Sequence, residues 1–234
     1  MQTNKNFLKY LHKKSYKNGE IITIYINDLI SNNNSNNIIF IRTPTTGAWL
    51  DGILPNDNSV IRLCYYIQNI QPKKCNCHKS TTIFDLNNLE QKLDELNNKY
   101  DLIVIDPYHE YNISYNNFNL LLSFLNDDGC IVSHDCFPPN LNMSTPVFKN
   151  GDWCGQTYLA FIKFAYNNSK LFYGILNIDT GIGIISKRKN DGLKNDLNKY
   201  KQEYLLTIDF LNDYDKAYNY FKNNSFDLIN LISL

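Results

Sequence analysis

The chain has no Pro-, Gly- and Ser-rich stretch of the kind that separates domains; only 7 Pro and 10 Gly are spread over 234 residues. That length suffices for one sizeable core, so a single domain over residues 1–234 is expected. An excess of either charge is also missing. Lys plus Arg and Asp plus Glu number 23 each, with no long run of one sign, so the basic footprint of a duplex-binding protein is absent and nucleic acid is not an expected partner. No apolar run reaches the ~20 residues that cross a bilayer, and residues 1–16 hold no apolar stretch of signal-peptide type. No membrane partner is expected, and the reading is of a cytoplasmic protein. Six cysteines in such a chain read as reduced thiols rather than a disulfide framework. Cys75-Asn76-Cys77-His78 lacks the second Cys/His pair that would close a structural zinc site, and reads as a lysine-flanked surface loop. His12 and His78 are read as surface residues.

What is present is an alternation of apolar strands and amphipathic helices. Residues 7–16 and 20–30 have near-helical apolar spacing, although residues 21–26 are also rich enough in β-branched side chains to be extended; residues 1–36 are expected to form a helical appendage. Residues 37–41 and 59–66 read as buried parallel strands. Residues 82–98, with a Thr/Asp start and a stripe of Leu86, Leu89, Leu93 and Leu96, read as one amphipathic helix. The clearest passage is Tyr100-Asp101-Leu102-Ile103-Val104-Ile105-Asp106, an apolar strand ending in an acid, followed by a helix over 115–125. Asp127-Asp128-Gly129 reads as a turn into a strand over 130–135 that ends in His134-Asp135. In a right-handed β-α-β unit the two acidic strand ends share one sheet edge, where open α/β folds place ligands. A helix over 155–167, a hairpin of 171–176 with 181–187, and a Tyr/Leu-rich tail helical in period complete the chain. A core sheet over 37–187 and a C-terminal helical extension over 188–234 are expected, the tail docking on the core or on a second subunit.

Asp101-Leu102-Ile103-Val104-Ile105-Asp106-Pro107-Tyr108-His109-Glu110-Tyr111 resembles the fourth strand and following loop of class I S-adenosylmethionine-dependent methyltransferases, specifically small-molecule and sugar O-methyltransferases. The similarity continues through Asp128-Gly129-Cys130-Ile131-Val132-Ser133-His134-Asp135-Cys136-Phe137-Pro138-Pro139, Gly151-Asp152-Trp153-Cys154-Gly155 and Asp179-Thr180-Gly181-Ile182-Gly183. It implies a Rossmann-like α/β fold: a seven-stranded, mostly parallel sheet with helices on both faces, closed by an antiparallel C-terminal hairpin. It further implies S-adenosylmethionine across the ends of the first strands, and Mg2+ or another divalent cation held by Asp106 and Asp135, with His134 as a ligand or orienting group. His109 stands where the family carries a general base. Pro138 falls in a loop that borders the acceptor in that family, although Pro138-Pro139 itself reads first as a rigid turn; Trp153 reads equally as a pocket wall or a core aromatic, and Tyr108 and Trp153 are further expected acceptor contacts.

The chemistry of these residue types agrees. A neutral hydroxyl is a poor nucleophile; a hard cation lowers its pKa, and an imidazole titrating close to neutrality takes its proton, an effect worth about a hundred- to ten-thousand-fold. A plainer alternative stands beside this, because an acid ending a strand often only caps the next helix.

The cofactor end departs from the family pattern. The segment Ile41-Arg42-Thr43-Pro44-Thr45-Thr46-Gly47 retains only Gly47 of the family's E-x-G-x-x-x-G, with Thr43 in place of the first glycine. Cys64-Tyr65-Tyr66 supplies no acid for the ribose, and a hydrogen bond to such a charged group is worth about 1.5 to 3 kcal/mol. Thr43, Gly47, Asp85 and Asp106 are the expected cofactor contacts, and Asp51 is a further acid within reach. Three readings follow: a methyltransferase of a small-molecule or sugar acceptor with an unorthodox cofactor site, a protein that keeps the metal and acceptor half for another ligand, or a silent binding or assembly module. A nucleotide-sugar or NAD-dependent Rossmann enzyme ranks low because no G-x-G-x-x-G is present.

Overall fold

The computed structural model describes residues 26–27, 29–30, 36–46, 60–70, 78–189 and 192–232. Most of the expected N-terminal appendage, and with it Gly47, Asp51, Cys75, Cys77 and His12, lies outside the described residues.

The apolar run that ends in Asp106 forms β4 (Tyr100–Asp106), the central strand. It pairs in parallel with β1 (Ile38–Arg42) on one side and β5 (Leu125–Ser133) on the other. A strand covered on both faces has no solvent side, which is why its sequence is almost continuously apolar rather than alternating. One face meets Ile39, Ile41, Leu63 and Phe118, the other Phe40, Val132 and Ile184. β2 (Val60–Tyr66) and β3 (Thr82–Asp85) extend the parallel ladder beyond β1. β6 (Phe172–Leu176) and β7 (Ile182–Ser186) form the expected antiparallel hairpin, with β7 against β5.

Three features differ from the sequence reading. Residues 82–98 are not one helix: Thr82–Asp85 pairs with β2, because Thr82, Ile83 and Phe84 are β-branched or aromatic. Asp85 then caps a 3-10 turn (Leu86–Asn88) leading into α1 (Leu89–Leu96). The Asp127-Asp128-Gly129 turn falls inside β5. The ladder runs from Tyr100↔Leu125 directly to Leu102↔Cys130, so the polar residues between are thrown outward as an irregularity in the strand. Finally, the tail is not helical throughout. After α4 (Lys199–Thr207) and α5 (Tyr214–Ile229), Asn230 turns at φ +52 and Leu231–Ile232 adds β8 in parallel beside β6. The sheet among the described residues therefore has eight strands, in the order β3-β2-β1-β4-β5-β7-β6-β8.

Two helices, α2 (Tyr111–Ser123) and α3 (Thr157–Asn167), cover one face of the sheet and pack on each other through Phe118, Phe161 and Phe164. The tail docks on this core, Phe221 of α5 meeting Phe137 and Tyr158. No helix among the described residues is long and apolar enough to cross a membrane. Cys64, Cys130, Cys136 and Cys154 are buried free thiols.

Candidate active site

The strand order reverses between β1 and β4, and there Arg42 lies in register with Asp106. Helical connections leave in opposite directions from such a point, opening a crevice at the carboxyl ends of the strands. The loop after β4 is held firmly above it. Tyr65 of β2, fully buried, accepts hydrogen bonds from the Tyr108 amide (2.9 Å) and from Nδ2 of Asn117 (2.8 Å), and the Ser114 hydroxyl donates to the Tyr108 carbonyl. At the end of β5 the His134 amide donates to the Ile105 carbonyl (3.0 Å). Asp135 follows at φ +59, a left-handed conformation that aspartate tolerates better than most residues and that brings its side chain to the same point as Asp106.

There, two acids and two histidines meet. His109 Nε2 lies 3.0 Å from Asp106 Oδ1 and 2.9 Å from Asp135 Oδ2. Its Nδ1 faces the Trp153 carbonyl oxygen, which can only accept, so Nδ1 carries a proton; Nε2, between two carboxylates, carries the other. His109 is thus an imidazolium. Burial pushes its pKa down, but the charge of Asp135 and the hydrogen bonds that the ring donates to both carboxylates outweigh it and raise the value from 6.5 to about 10. His134 is raised well above its ordinary value by the same two acids, against the same burial. Burial would raise Asp106 and Asp135, yet the His134 charge, joined by His109, holds both below the usual carboxylate range. The expectation of an imidazole titrating near neutrality therefore does not describe His109 in this arrangement: two buried carboxylates in direct contact stabilise its proton.

The cluster forms the floor of a cleft of about 360 Å³. Thr45 and Thr46 make one wall, residues 151–154 with Trp153 the other, and Asp179 and Thr180 close one end. Of the residues singled out from sequence, Asp106, His109, His134, Asp135 and Trp153 come together here. Thr43 is fully buried behind the wall. Its hydroxyl meets those of Thr45 (3.3 Å) and Thr46 (3.0 Å), while Thr46 donates to the Asp106 carbonyl (2.9 Å), so hydroxyls close the turn that glycines would otherwise make. Asp85 stands apart from the cleft lining. Its Oδ1 accepts from the Asn87 amide as a helix cap, and its Oδ2 is buried without a hydrogen-bond partner among the described residues. Tyr108 backs Trp153 edge-on (centroids 5.4 Å apart). Pro138 is turned to the tail, its carbonyl accepting from the Tyr218 hydroxyl (3.2 Å), and is absent from the cleft lining.

Residues that the sequence reading did not assign to the site also line it: Thr45, Thr46, Met143, Cys154, Asp179 and Thr180. Asp179-Thr180 carried a signal, since two polar residues precede the positive-φ Gly181 in a hairpin turn, but only the folded chain shows which strand end that turn faces. Gly181 is needed there because a Cβ would lie 2.2 Å from Phe137 Cβ.

The donor set fits a divalent cation: one ligand atom each from Asp106, His134 and Asp135 lies within 4.8 Å of the others. The cleft also carries Asp152 and Asp179, an acidic surrounding suited to the positive sulfonium and amino groups of S-adenosylmethionine. Asp85 Oδ2 is a buried acceptor of the kind an adenine amino group would satisfy.

Residues 23–136 match a family model described as a methyltransferase domain. None of the curated proteins matches the chain. Similar solved structures include a chain from Staphylococcus aureus described as a candidate caffeoyl-CoA O-methyltransferase (17% identity, 78% of this chain and 99% of that one, TM-score 0.49). An O-methyltransferase from Bacillus cereus in complex with SAH has 14% identity over 80% of this chain and 91% of that one, at TM-score 0.46. The O-methyltransferase TomG from Streptomyces achromogenes, in complex with SAM, has 13% identity over 79% and 86%, at TM-score 0.46. The matched stretch, residues 23–136, is thus similar to a methyltransferase domain over just under half of the chain.

Proposed function

We propose that the chain is an S-adenosylmethionine-dependent O-methyltransferase acting on a hydroxyl of a sugar or glycan, assisted by a divalent cation. The observation that carries this reading is the meeting of Asp106, His109, His134 and Asp135 on the floor of one cleft at the switch point of the sheet. The cofactor supplies an electrophilic methyl group, and the cation supplies a Lewis acid that lowers the pKa of the acceptor hydroxyl. Asp106, Asp135 and His134 hold the cation; Thr45, Thr46, Asp106 and Asp85 face the cofactor.

The protein's own part is positioning and proton movement. The bound cofactor would supply the methyl group, and His109 Nε2 would take the proton that the acceptor hydroxyl gives up. That nitrogen is free to take it only when the negative charge of Asp106 and Asp135 is engaged elsewhere than on His109, which couples base function to occupancy of the carboxylate site. The Trp153 carbonyl holds the ring by Nδ1 throughout. Trp153 and Phe148, the latter 50% exposed at 5.3 Å from Trp153, offer aromatic surface to the C–H faces of a sugar ring.

Isothermal titration with S-adenosylhomocysteine, in magnesium and in EDTA, followed by a panel of nucleotide sugars with S-adenosylmethionine, tests the reading. Micromolar binding and a methylated sugar are expected. A second reading, a binding module without turnover, draws on the hydroxyl-closed Thr43–Thr46 turn; absence of cofactor binding in both buffers would select it.

A further inference from the structure

His134 is held in a way that the cation reading alone does not require. Its Nε2 lies 2.9 Å from Asp179 Oδ2 and 3.0 Å from Thr180 Oγ1, while Nδ1 points between Asp106 Oδ2 (3.4 Å) and Asp135 Oδ2 (3.3 Å). Asp179 accepts only, so Nε2 is the nitrogen that keeps its proton; when the ring is neutral, its lone pair is on Nδ1, aimed into the carboxylate pair. The turn presenting Asp179 is locked to the segment presenting His134. The Cys136 amide donates to the Gly181 carbonyl (3.0 Å) and the Phe137 amide to the Thr180 carbonyl (2.8 Å). A carboxylate on the far nitrogen of an imidazole is the usual device for orienting a metal-ligating histidine. Imidazole nitrogen suits zinc, iron, nickel and copper, and affinity for such a site rises along the first-row series through cobalt, whereas magnesium takes oxygen and retains its waters.

We propose that Asp179, with Thr180, fixes His134 as an Nδ1 ligand and thereby makes this centre select a nitrogen-accepting transition-metal dication over Mg2+. The proposal rests on the cation half of the function above, and needs neither cofactor nor acceptor to be tested. The full chain, stripped with chelator, is titrated with Co2+ by visible absorption and with Mg2+ by calorimetry, and its Mn2+ complex is examined by pulsed electron paramagnetic resonance for a coupled imidazole nitrogen. Co2+ is expected to bind about a hundredfold more tightly than Mg2+. His134→Gln should abolish the nitrogen coupling and most of that preference. Asp179→Asn should weaken Co2+ about 10- to 100-fold, which keeps the test available should His134→Gln fail to fold. No imidazole coupling in the wild-type complex, or a Co2+/Mg2+ ratio untouched by both substitutions, overturns the selection while sparing the cation site. Failure of every dication to bind overturns both, leaving cofactor binding to be judged separately.

Discussion

His109 illustrates how one residue's chemistry depends on its contacts. Both nitrogens are engaged, Nδ1 by the Trp153 carbonyl and Nε2 by two carboxylates, so the ring cannot rotate without breaking buried hydrogen bonds. His109→Ala is expected to lower turnover about a hundred- to ten-thousand-fold with the fold retained, checked by initial rates beside circular dichroism. Asp135→Asn should also abolish turnover while keeping the left-handed backbone, since asparagine adopts it as readily. Normal rates in either variant would remove the roles assigned above. The same cluster sets a stability profile in the metal-free protein. His109, raised from 6.5 to about 10, contributes fully below pH 6.5, and its contribution is lost as pH rises toward 10. Asp106 and Asp135, depressed below 3.8, contribute above that pH, and theirs is lost on acidification. Melting temperature in EDTA should therefore be highest between about pH 4 and 6.5 and fall on the alkaline side, with Asp106→Asn flattening that fall; a rise from pH 6.5 to 9 in the wild type would contradict the ion cluster.

At the level of elements, the site is a meeting of strand ends, and backbone conformations at the joins decide it. Gly155, which precedes α3, has φ +54, and a Cβ there would lie 2.2 Å from the His109 carbonyl oxygen, itself the acceptor for the Gln156 amide. Gly155→Ala combines a disfavoured φ with a backbone clash. A loss of about 1 to 3 kcal/mol in urea unfolding is expected, together with weakened cofactor-dependent turnover, since the loop that moves carries His109. Tyr65→Phe leaves the Tyr108 amide and the Asn117 side chain without their shared acceptor. Each buried unsatisfied donor costs about 1 to 3 kcal/mol, so this variant should be less stable than a conservative core change, measurable in the same unfolding experiment.

For the whole molecule, the C-terminal extension is part of the core rather than an addition to it. Ala217, Tyr218, Phe221, Leu228 and Ile229 of α5 are buried, and β8 completes the sheet edge beside β6. Burying a large apolar side chain contributes about 1.5 to 3 kcal/mol, and a domain's net stability is only about 5 to 15 kcal/mol. Truncation after residue 212 should therefore yield an unfolded or aggregated chain. A soluble, cooperatively melting fragment would show instead that the rest of the chain folds without α5 and β8.

Local pattern was enough to mark β1, β4, the β6–β7 hairpin and α2, because a continuous apolar run or a helical stripe is written into neighbouring residues. It was also enough to nominate the acid and histidine at the ends of β4 and β5, since polar groups ending an apolar strand must lie at the sheet edge. It misassigned residues 82–85, whose β-branched side chains became a strand only because β2 offered a partner. It likewise gave no sign that Leu231 and Ile232 would add an eighth strand, a pairing with β6, 56 positions away in the chain (Leu176↔Ile232). Sequence proximity also could not show that Asp179 faces His134, that Pro138 turns to Tyr218 and away from the cleft, or that two carboxylates would hold His109 as a cation. Those facts depend on distances between residues far apart in the chain, and such distances are set by packing.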